Sequence, residues 1–423
     1  PANVNQTTFG KLYSTGVDGQ VYAQPLYVAG VNITAGALQG SHNVVYVATE
    51  HDTLYAIDGD SGQVLWQDSF LVPEAGLSGT VTVSTVSSAD VGTSDITPQI
   101  GITGTPIIDP GAQPGTGFLF LMAKTKQVVN GDTSAPHFVE TLYKVNIQDG
   151  TSVSTVIGDT IDQNGSYTYR TTGAQTDPYV LGTGDGAINV GGQSRVYFNA
   201  LRVPNRPGLT VYNGNVYIAF ASHGDNDPYH GWILGFNEAT LANTAAFNTT
   251  PNASRGGIWM GGDRIVIDPQ GFFYVETGNG GFDTNLGTLM FPSQGDYGDS
   301  FIKIGLDAST TPTSQNINGW GLKVVDYFTP LNESSLDQAD EDLGSGGPIV
   351  LPDSVGTAAN PHLLVGAGKE GKVYLINRDN MGKFSPTTDN VVQELPGLGG
   401  VGSFDAPSFF YDGTAARIYY VPG

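Results

Sequence analysis

Between Asn43 and Trp66 the chain reads NVVYVATEHDTLYAIDGDSGQVLW. Two short apolar strands, NVVYVAT and TLYAID, flank a tight polar turn, and a DGDSG turn leads into a third strand, QVLW. Short β-rich runs punctuated by Gly and Asp form antiparallel meanders. One meander cannot bury both of its faces, so it needs neighbours of its own kind. Looser copies recur. Residues 21–69 hold the first and residues 101–158 the second. The third runs from Pro207, the fourth from GGIWMGGDRIVID and the fifth from SGGPIVLP. FDAPSFF and RIYYVP begin a sixth.

Repeated four-strand meanders predict an all-β chain, a β-propeller of four-stranded antiparallel blades, with six repeats legible and about six to eight blades in all. Composition agrees. Gly 59 and Pro 24, with 13% charged residues, describe a turn-rich β protein. No linker or shift of composition divides the chain, so we read one domain over residues 1–423. The sixth repeat lacks its outer strands. TFGKLYS, Thr8 to Ser14, is the expected outer strand that completes it. Helical periodicity is confined to about one turn, at Ser335–Glu341.

A formal charge of −23 opposes nucleic acid and anionic membranes as partners, since both call for a basic surface. No apolar run reaches membrane-spanning length. The absence of Cys removes disulfides, thiolate metal sites and a Cys nucleophile. The chain begins PANVNQTT, with no basic-then-apolar leader. Six N-x-[ST] sequons, at Asn5, Asn32, Asn164, Asn248, Asn252 and Asn332, permit a glycoprotein of the secretory pathway, although a chain this rich in Asn, Ser and Thr yields most of them by chance.

Loop lengths say where function sits. With strands numbered outward from the axis, loops between blades and loops joining second to third strands emerge on one face. That set holds the long connections, 70–100, 125–137, 159–200, 223–230 and 278–298. Long loops gathered on one end of a rigid scaffold make a binding site.

SHGDNDPYHGW, Ser222 to Trp232, is the densest polar cluster on that face. His223 and His230 suit proton transfer to a bound ligand. Their spacing matches no established metal pattern. The competing reading is a loop pinned by its own hydrogen bonds. GGIWMGGD places Trp259 and Met260 near the mouth of the channel, where flanking glycines leave a ring face free for a planar ligand. The competing reading is a Trp wedged between blades. Starts of innermost strands converge on the axis, which brings Ser345, Phe404 and Asp405 towards Trp259. Lys369 and Glu370 read as a surface turn. Asp283, Asp296 and Asp299 sit in Gly-rich loops of a kind that can hold Ca²⁺, but the pattern is not that of an EF-hand, and the competing reading, solvated turn aspartates, is the commoner one.

The pattern Ala56-x-Asp58-x-x-Ser61-Gly62-x-x-x-Trp66 resembles the repeat of pyrroloquinoline-quinone-type propellers, in which the Trp wedges between adjacent blades. Longer stretches, among them VDGQVYAQPLYV, GITGTPIIDP, ASHGDNDPYHGWILGFN, GDYGDSFIK and LLVGAGKEGKVYLINRDNMG, span nearly the whole chain. They resemble secreted repeat-like propellers of bacteria and filamentous fungi. Within the fungal branch the chain is similar to the hetero-Diels–Alderases of tropolone–sesquiterpenoid biosynthesis. That resemblance implies a cofactor-free enzyme. It would dehydrate a hydroxymethyl-tropolone to an ortho-quinone methide and join it to a humulene-type alkene. Small apolar substrates would be its partners. From predicted position, His230, His223 and Asp405 are the candidate acids and bases. Trp259, Met260, Tyr229, Phe404 and Ser345 are the candidate pocket. Two alternatives stand beside it: a quinoprotein-like oxidoreductase, and a non-catalytic propeller that binds glycan or protein.

Overall fold

The computed structural model describes residues 5, 7, 9–173, 176–287, 289–397 and 402–420. The first blade is the meander β1 (Leu26–Ile33), β2 (Gly40–Ala48), β3 (Thr53–Asp58) and β4 (Val64–Ser69). Its D-x-x-S-G turn shows why the repeat carries those residues. Asp58 Oδ1 accepts from the Ser61 hydroxyl at 2.7 Å and from the Ser61 and Asp60 amides. Gly62 turns the chain with φ +77, a conformation that favours glycine. The Ser61 hydroxyl, then His42, holds the Asp58 carboxyl down at about 2.

Next come β5 (Val81–Ser87), a single helical turn α1 (Ser88–Val91), and β6 (Gln99–Ile100). The second blade is β7 (Ile107–Pro110), β8 (Gly117–Val129), β9 (His137–Asn146) and β10 (Ser152–Gln163), extended by β11 (Ser166–Tyr169). A small three-stranded sheet follows, β12 (Tyr179–Leu181), β13 (Ile188–Val190) and β14 (Gln193–Tyr197). The third blade is β15 (Thr210–Tyr212), β16 (Asn215–Phe220), β17 (Trp232–Asn237) and β18 (Asn243–Asn248). The fourth is β19 (Val266–Ile267), β20 (Phe273–Glu276), β21 (Phe301–Asp307) and β22 (Gly319–Phe328). After the helix α2 (Glu333–Ala339), the fifth is β23 (Ile349–Val350), β24 (Leu363–Ala367), β25 (Val373–Asn377) and β26 (Gln393–Leu395). A hairpin, β27 (Ser408–Tyr411) and β28 (Ala416–Tyr419), begins a sixth.

Period-two alternation decides how these sheets stack, because successive side chains leave a strand on opposite faces. On β16, Val216, Ile218 and Phe220 face the second blade and meet Phe120, Met122 and Leu142. Tyr217 and Ala219 face the fourth and meet Phe273 and Val275. On β20, Tyr274 turns instead to Leu364 and Tyr374 of the fifth. On β24, Leu363 and Val365 turn towards Phe409 and Tyr420. Each sheet thus packs face to face with the next in sequence order, which is the β-propeller arrangement. Trp66 takes the expected wedge position. It packs with Tyr143 and Val145 of the second blade, and a Cβ on Gly150 would stand 3.0 Å from its ring.

Three expectations need adjusting. Two of the long stretches, 70–100 and 125–137, pair with each other, since β5 runs antiparallel to the outer end of β8 from Val81 opposite Val129 to Thr85 opposite Thr125. The alternation in VTVSTV is the local cause. Thr8 lies outside the described residues, and 9–14 form no strand. Tyr13 and Thr15 instead hydrogen-bond the first blade, at the carbonyls of Gly59 (2.8 Å) and Gly62 (2.7 Å). The sequons differ in access. Asn5, Asn32 and Asn164 are exposed, Asn252 and Asn332 are half-buried, and Asn248 is fully buried at the end of β18. Asn248 is therefore closed to a glycan in the folded protein.

Many carboxyl groups are packed inside. Burial pushes Glu50, Asp263 and Glu333 up to about 7 and Asp296 to about 6, and raises Asp52, Glu276 and Asp299 further. These groups keep protons in the folded chain that the unfolded chain has already lost. The folded state then binds more protons, so stability falls as pH rises from about 4 to about 7. His223 and His230, held neutral by burial, pull the other way below their ordinary value, but they are outnumbered. Urea denaturation is expected to give a higher midpoint at mildly acidic pH than above neutrality. Equal midpoints would show that these carboxyls are not shifted.

Candidate functional site

Each innermost strand is reached through a glycine-bearing segment, and these segments interlock around the axis. Gly208 N–H donates to Asp263 O at 2.7 Å, Met260 N–H to Gly344 O at 2.9 Å, and Gly261 N–H to Ser345 O at 3.2 Å. Gly261 is glycine because nothing larger fits. A Cβ there would stand 2.0 Å from Phe404 O. Gly261→Ala must therefore spread the fourth, fifth and sixth repeats apart. A loss of about 1–3 kcal/mol is expected in chemical denaturation, and unchanged stability would contradict the interlock.

Above this collar lies a cavity of about 520 Å³, within the range of small-ligand sites. Its walls include Trp259, Phe404, Ser345, Arg206, Lys369 and Asp342, with Asp95, Asp225 and Asp340 at the polar side. Phe404 is 46% exposed, and Trp259 is half-buried with its Nε1 shielded and without a hydrogen-bond partner. The Ser345 hydroxyl is spent on Ser403 O at 2.6 Å.

One charged network supports the cavity. Lys369 Nζ lies 2.6 Å from Asp342 Oδ2 and 3.0 Å from Asp340 O. Burial opposes the Lys369 charge, but Asp342 and Asp340 outweigh it and hold the ammonium above its ordinary value. Burial raises Asp342, with Lys369 offsetting part of that rise. Asn279 links three carboxylates: its N–H donates to Asp342 Oδ1 at 2.8 Å, and its Nδ2 to Asp225 at 3.0 Å and Asp340 at 3.1 Å. Asp225 also accepts from Tyr229 at 2.8 Å and Ser222 at 2.9 Å. Burial works against its ionisation, yet these donors keep its carboxyl below the ordinary value.

The sequence-derived candidates divide sharply. Trp259, Ser345 and Phe404 come together as expected. Asp405 is exposed beside them, next to the Gly262 turn and close enough to support the charge of Arg206. His230, His223, Tyr229 and Met260 do not line the cavity. His230 donates from Nε2 to Asp185 O at 2.9 Å and lies 2.9 Å from the Thr250 hydroxyl, so it ties two loops together as a neutral imidazole. His223 is 4% exposed, and its Nε2 has no partner. Burial first, then Lys124 and Arg202, keeps it neutral. Met260 is fully buried against the core of the third and fourth blades. Tyr229 touches the cavity wall only through its hydrogen bond to Asp225. Asp283, Asp296 and Asp299 do not gather. Each accepts amide hydrogens of its own neighbourhood, from Asn285 and Gln294, from Asn252 and Ala253, and from Leu343. Lys369, read as a surface turn, and Arg206 and Asp342 are the residues that sequence reasoning missed.

A second, larger cavity of about 820 Å³ opens lower in the channel, between β1, the β7–β8 hairpin and Arg264. It carries little besides Asp263 and Arg264 that can exchange a proton, so the chemistry favours the smaller one.

Fold and cavity together define a β-propeller with a cavity of small-ligand size on its long-loop face. No family model matches the sequence, and no curated protein matches it. Solved structures of similar fold include the quinohemoprotein alcohol dehydrogenase of Comamonas testosteroni. It is 15% identical with a TM-score of 0.41, over 86% of this chain and 44% of that one. Quinohemoprotein alcohol dehydrogenase ADHIIG of Pseudomonas putida HK5 is 14% identical with a TM-score of 0.43, over 90% and 45%. BamB of Moraxella catarrhalis is 10% identical with a TM-score of 0.37, over 89% and 66%. The chain spans less than half the length of either dehydrogenase. Likeness at this level concerns fold and carries nothing about activity.

Proposed function

We propose that this protein is an enzyme acting on a small hydroxylated aromatic compound in the 520 Å³ cavity. The observation that carries the reading is the meeting of two aromatic side chains, Trp259 and Phe404, with the Lys369–Asp342 ion pair. The finer reading is dehydration of a hydroxymethyl-tropolone followed by hetero-Diels–Alder addition to a humulene-type alkene. Lys369 gives a proton to the departing hydroxyl. A cavity carboxylate, Asp340 or Asp225, takes the proton of the ring hydroxyl. Water leaves and an ortho-quinone methide remains. The cycloaddition then forms one C–C and one C–O bond with no proton to move. Its main obstacle is orientation, which a shaped cavity supplies. The acid and base roles first given to His230 and His223 pass to groups that face the cavity.

A quinone cofactor fits this donor set poorly. Such a cofactor is a planar polyanion. Here Asp95, Asp225, Asp340 and Asp342 crowd the cavity, while its cations are Arg206 and a Lys369 already committed to Asp342. Incubation with a hydroxymethyl-tropolone and humulene, followed by mass spectrometry, tests the reading. A dihydropyran adduct formed faster than in protein-free buffer is the expected result. Formation at the background rate would refute the activity.

A further inference from the structure

Outside the cavity, on the second blade, three side chains with metal-binding atoms meet. Asp159 stands on β10, His137 opens β9, and Glu74 lies between β4 and β5, with its N–H donating to Gln127 Oε1 at 2.9 Å. One ligand atom from each lies within 4.8 Å of the others. His137 Nδ1 is 2.9 Å from Asp159 Oδ2 and 3.0 Å from Oδ1. Glu74 Oε1 accepts from Arg170 at 2.5 Å. Its other oxygen, Oε2, is buried and accepts from no donor, on a side chain only 6% exposed, and burial, then the neighbouring Asp159 carboxylate, raises the Glu74 carboxyl.

Charge makes that orphaned oxygen informative. Asp177 sits directly behind, accepting the Asp159 N–H at 3.1 Å and Arg170 Nε at 2.8 Å. Three carboxyl groups therefore share one guanidinium and the His137 imidazole, and a buried carboxylate without a donor is costly. We propose that Glu74, His137 and Asp159 bind a divalent transition-metal ion, of the Zn²⁺ or Mn²⁺ class. An imidazole nitrogen favours such ions over Ca²⁺ or Mg²⁺, which prefer all-oxygen sets. Donors bonded at about 2.0–2.2 Å stand roughly 3 Å apart around one ion; the direct His137 Nδ1–Asp159 hydrogen bond holds these two donors at that separation, and the ion would replace it. Arg170 and Asp177 form the outer layer that orients the ligands. The ion fastens the segment around Glu74 to the outer half of the second blade, so its role is structural.

The test uses the full chain, stripped with chelator and titrated with ZnCl₂ or MnCl₂. One ion per chain is expected, with an upward shift in Tm of about 3 °C or more at large excess. Glu74→Gln keeps an oxygen for Arg170 but presents a neutral ligand, and is expected to weaken binding at least about tenfold. If neither ion binds the wild type, or if Glu74→Gln and His137→Gln bind as it does, the site does not exist. Should the variants fail to fold, X-ray absorption of the wild-type zinc form decides. An imidazole nitrogen in the first coordination sphere supports the proposal, and a shell without one overturns it.

Discussion

Lys124→Met is expected to destabilise the protein by about 3–5 kcal/mol in urea denaturation. Lys124 and Glu140 are 2% and 1% exposed and form an ion pair of 3.0 Å between β8 and β9. The same ammonium donates to Val203 O at 2.9 Å and to Ala200 O. One side chain thus joins the second blade to the segment that leads into the third. Methionine matches its length and supplies no donor, so two buried carbonyls and a buried carboxyl lose their partner together. Leaving such groups unpaired costs far more than the pair itself contributes. Lys124→Met combined with Glu140→Leu removes the stranded carboxyl and should recover part of the loss. A single variant within about 1 kcal/mol of wild type would mean that water replaces the ammonium without penalty.

Lys369→Met is expected to lower turnover by roughly 10²–10⁴-fold, the usual contribution of a positioned proton donor. Lys369 is the cation closest to Asp342 and is partly open to the cavity, with 27% of its side chain exposed. The variant leaves the buried Asp342 carboxylate without its cation, so some stability is lost as well, and turnover is compared on protein shown to be folded. The arginine variant separates chemistry from folding. Lys369→Arg keeps the charge but gives its proton up less readily than even the ion-paired Lys369 ammonium. Arginine should therefore restore the ion pair without restoring activity. Normal turnover in the methionine variant would remove Lys369 from the reaction.

The repeat was readable because its signals are local. A D-x-x-S-G turn needs the Asp58 carboxylate and the left-handed Gly62, and both are visible in a short stretch. Alternation within NVYIAF already implied two buried faces, and β16 has two. Convergence of Trp259, Ser345 and Phe404 followed from topology, since ring order brings distant strand starts to one axis. The histidines were misjudged because their fate depends on partners far along the chain. His230 is covered by Asp185, 45 residues earlier, within a stretch read only as a long loop. Lys369 was misjudged for the converse reason. Its sequence neighbours describe an exposed turn, while its partners Asp340 and Asp342 arrive from the segment after α2. The Glu74–His137–Asp159 group likewise joins three strands or loops whose spacing carries no motif.

Everything functional in this account rests on where the ligand sits. A crystal structure of the protein soaked with a hydroxymethyl-tropolone tests it most directly. The ring is expected between Trp259 and Phe404, with its oxygens facing Lys369. A ligand lodged instead in the lower channel, against Leu26, Tyr27 and Pro114, would contradict it.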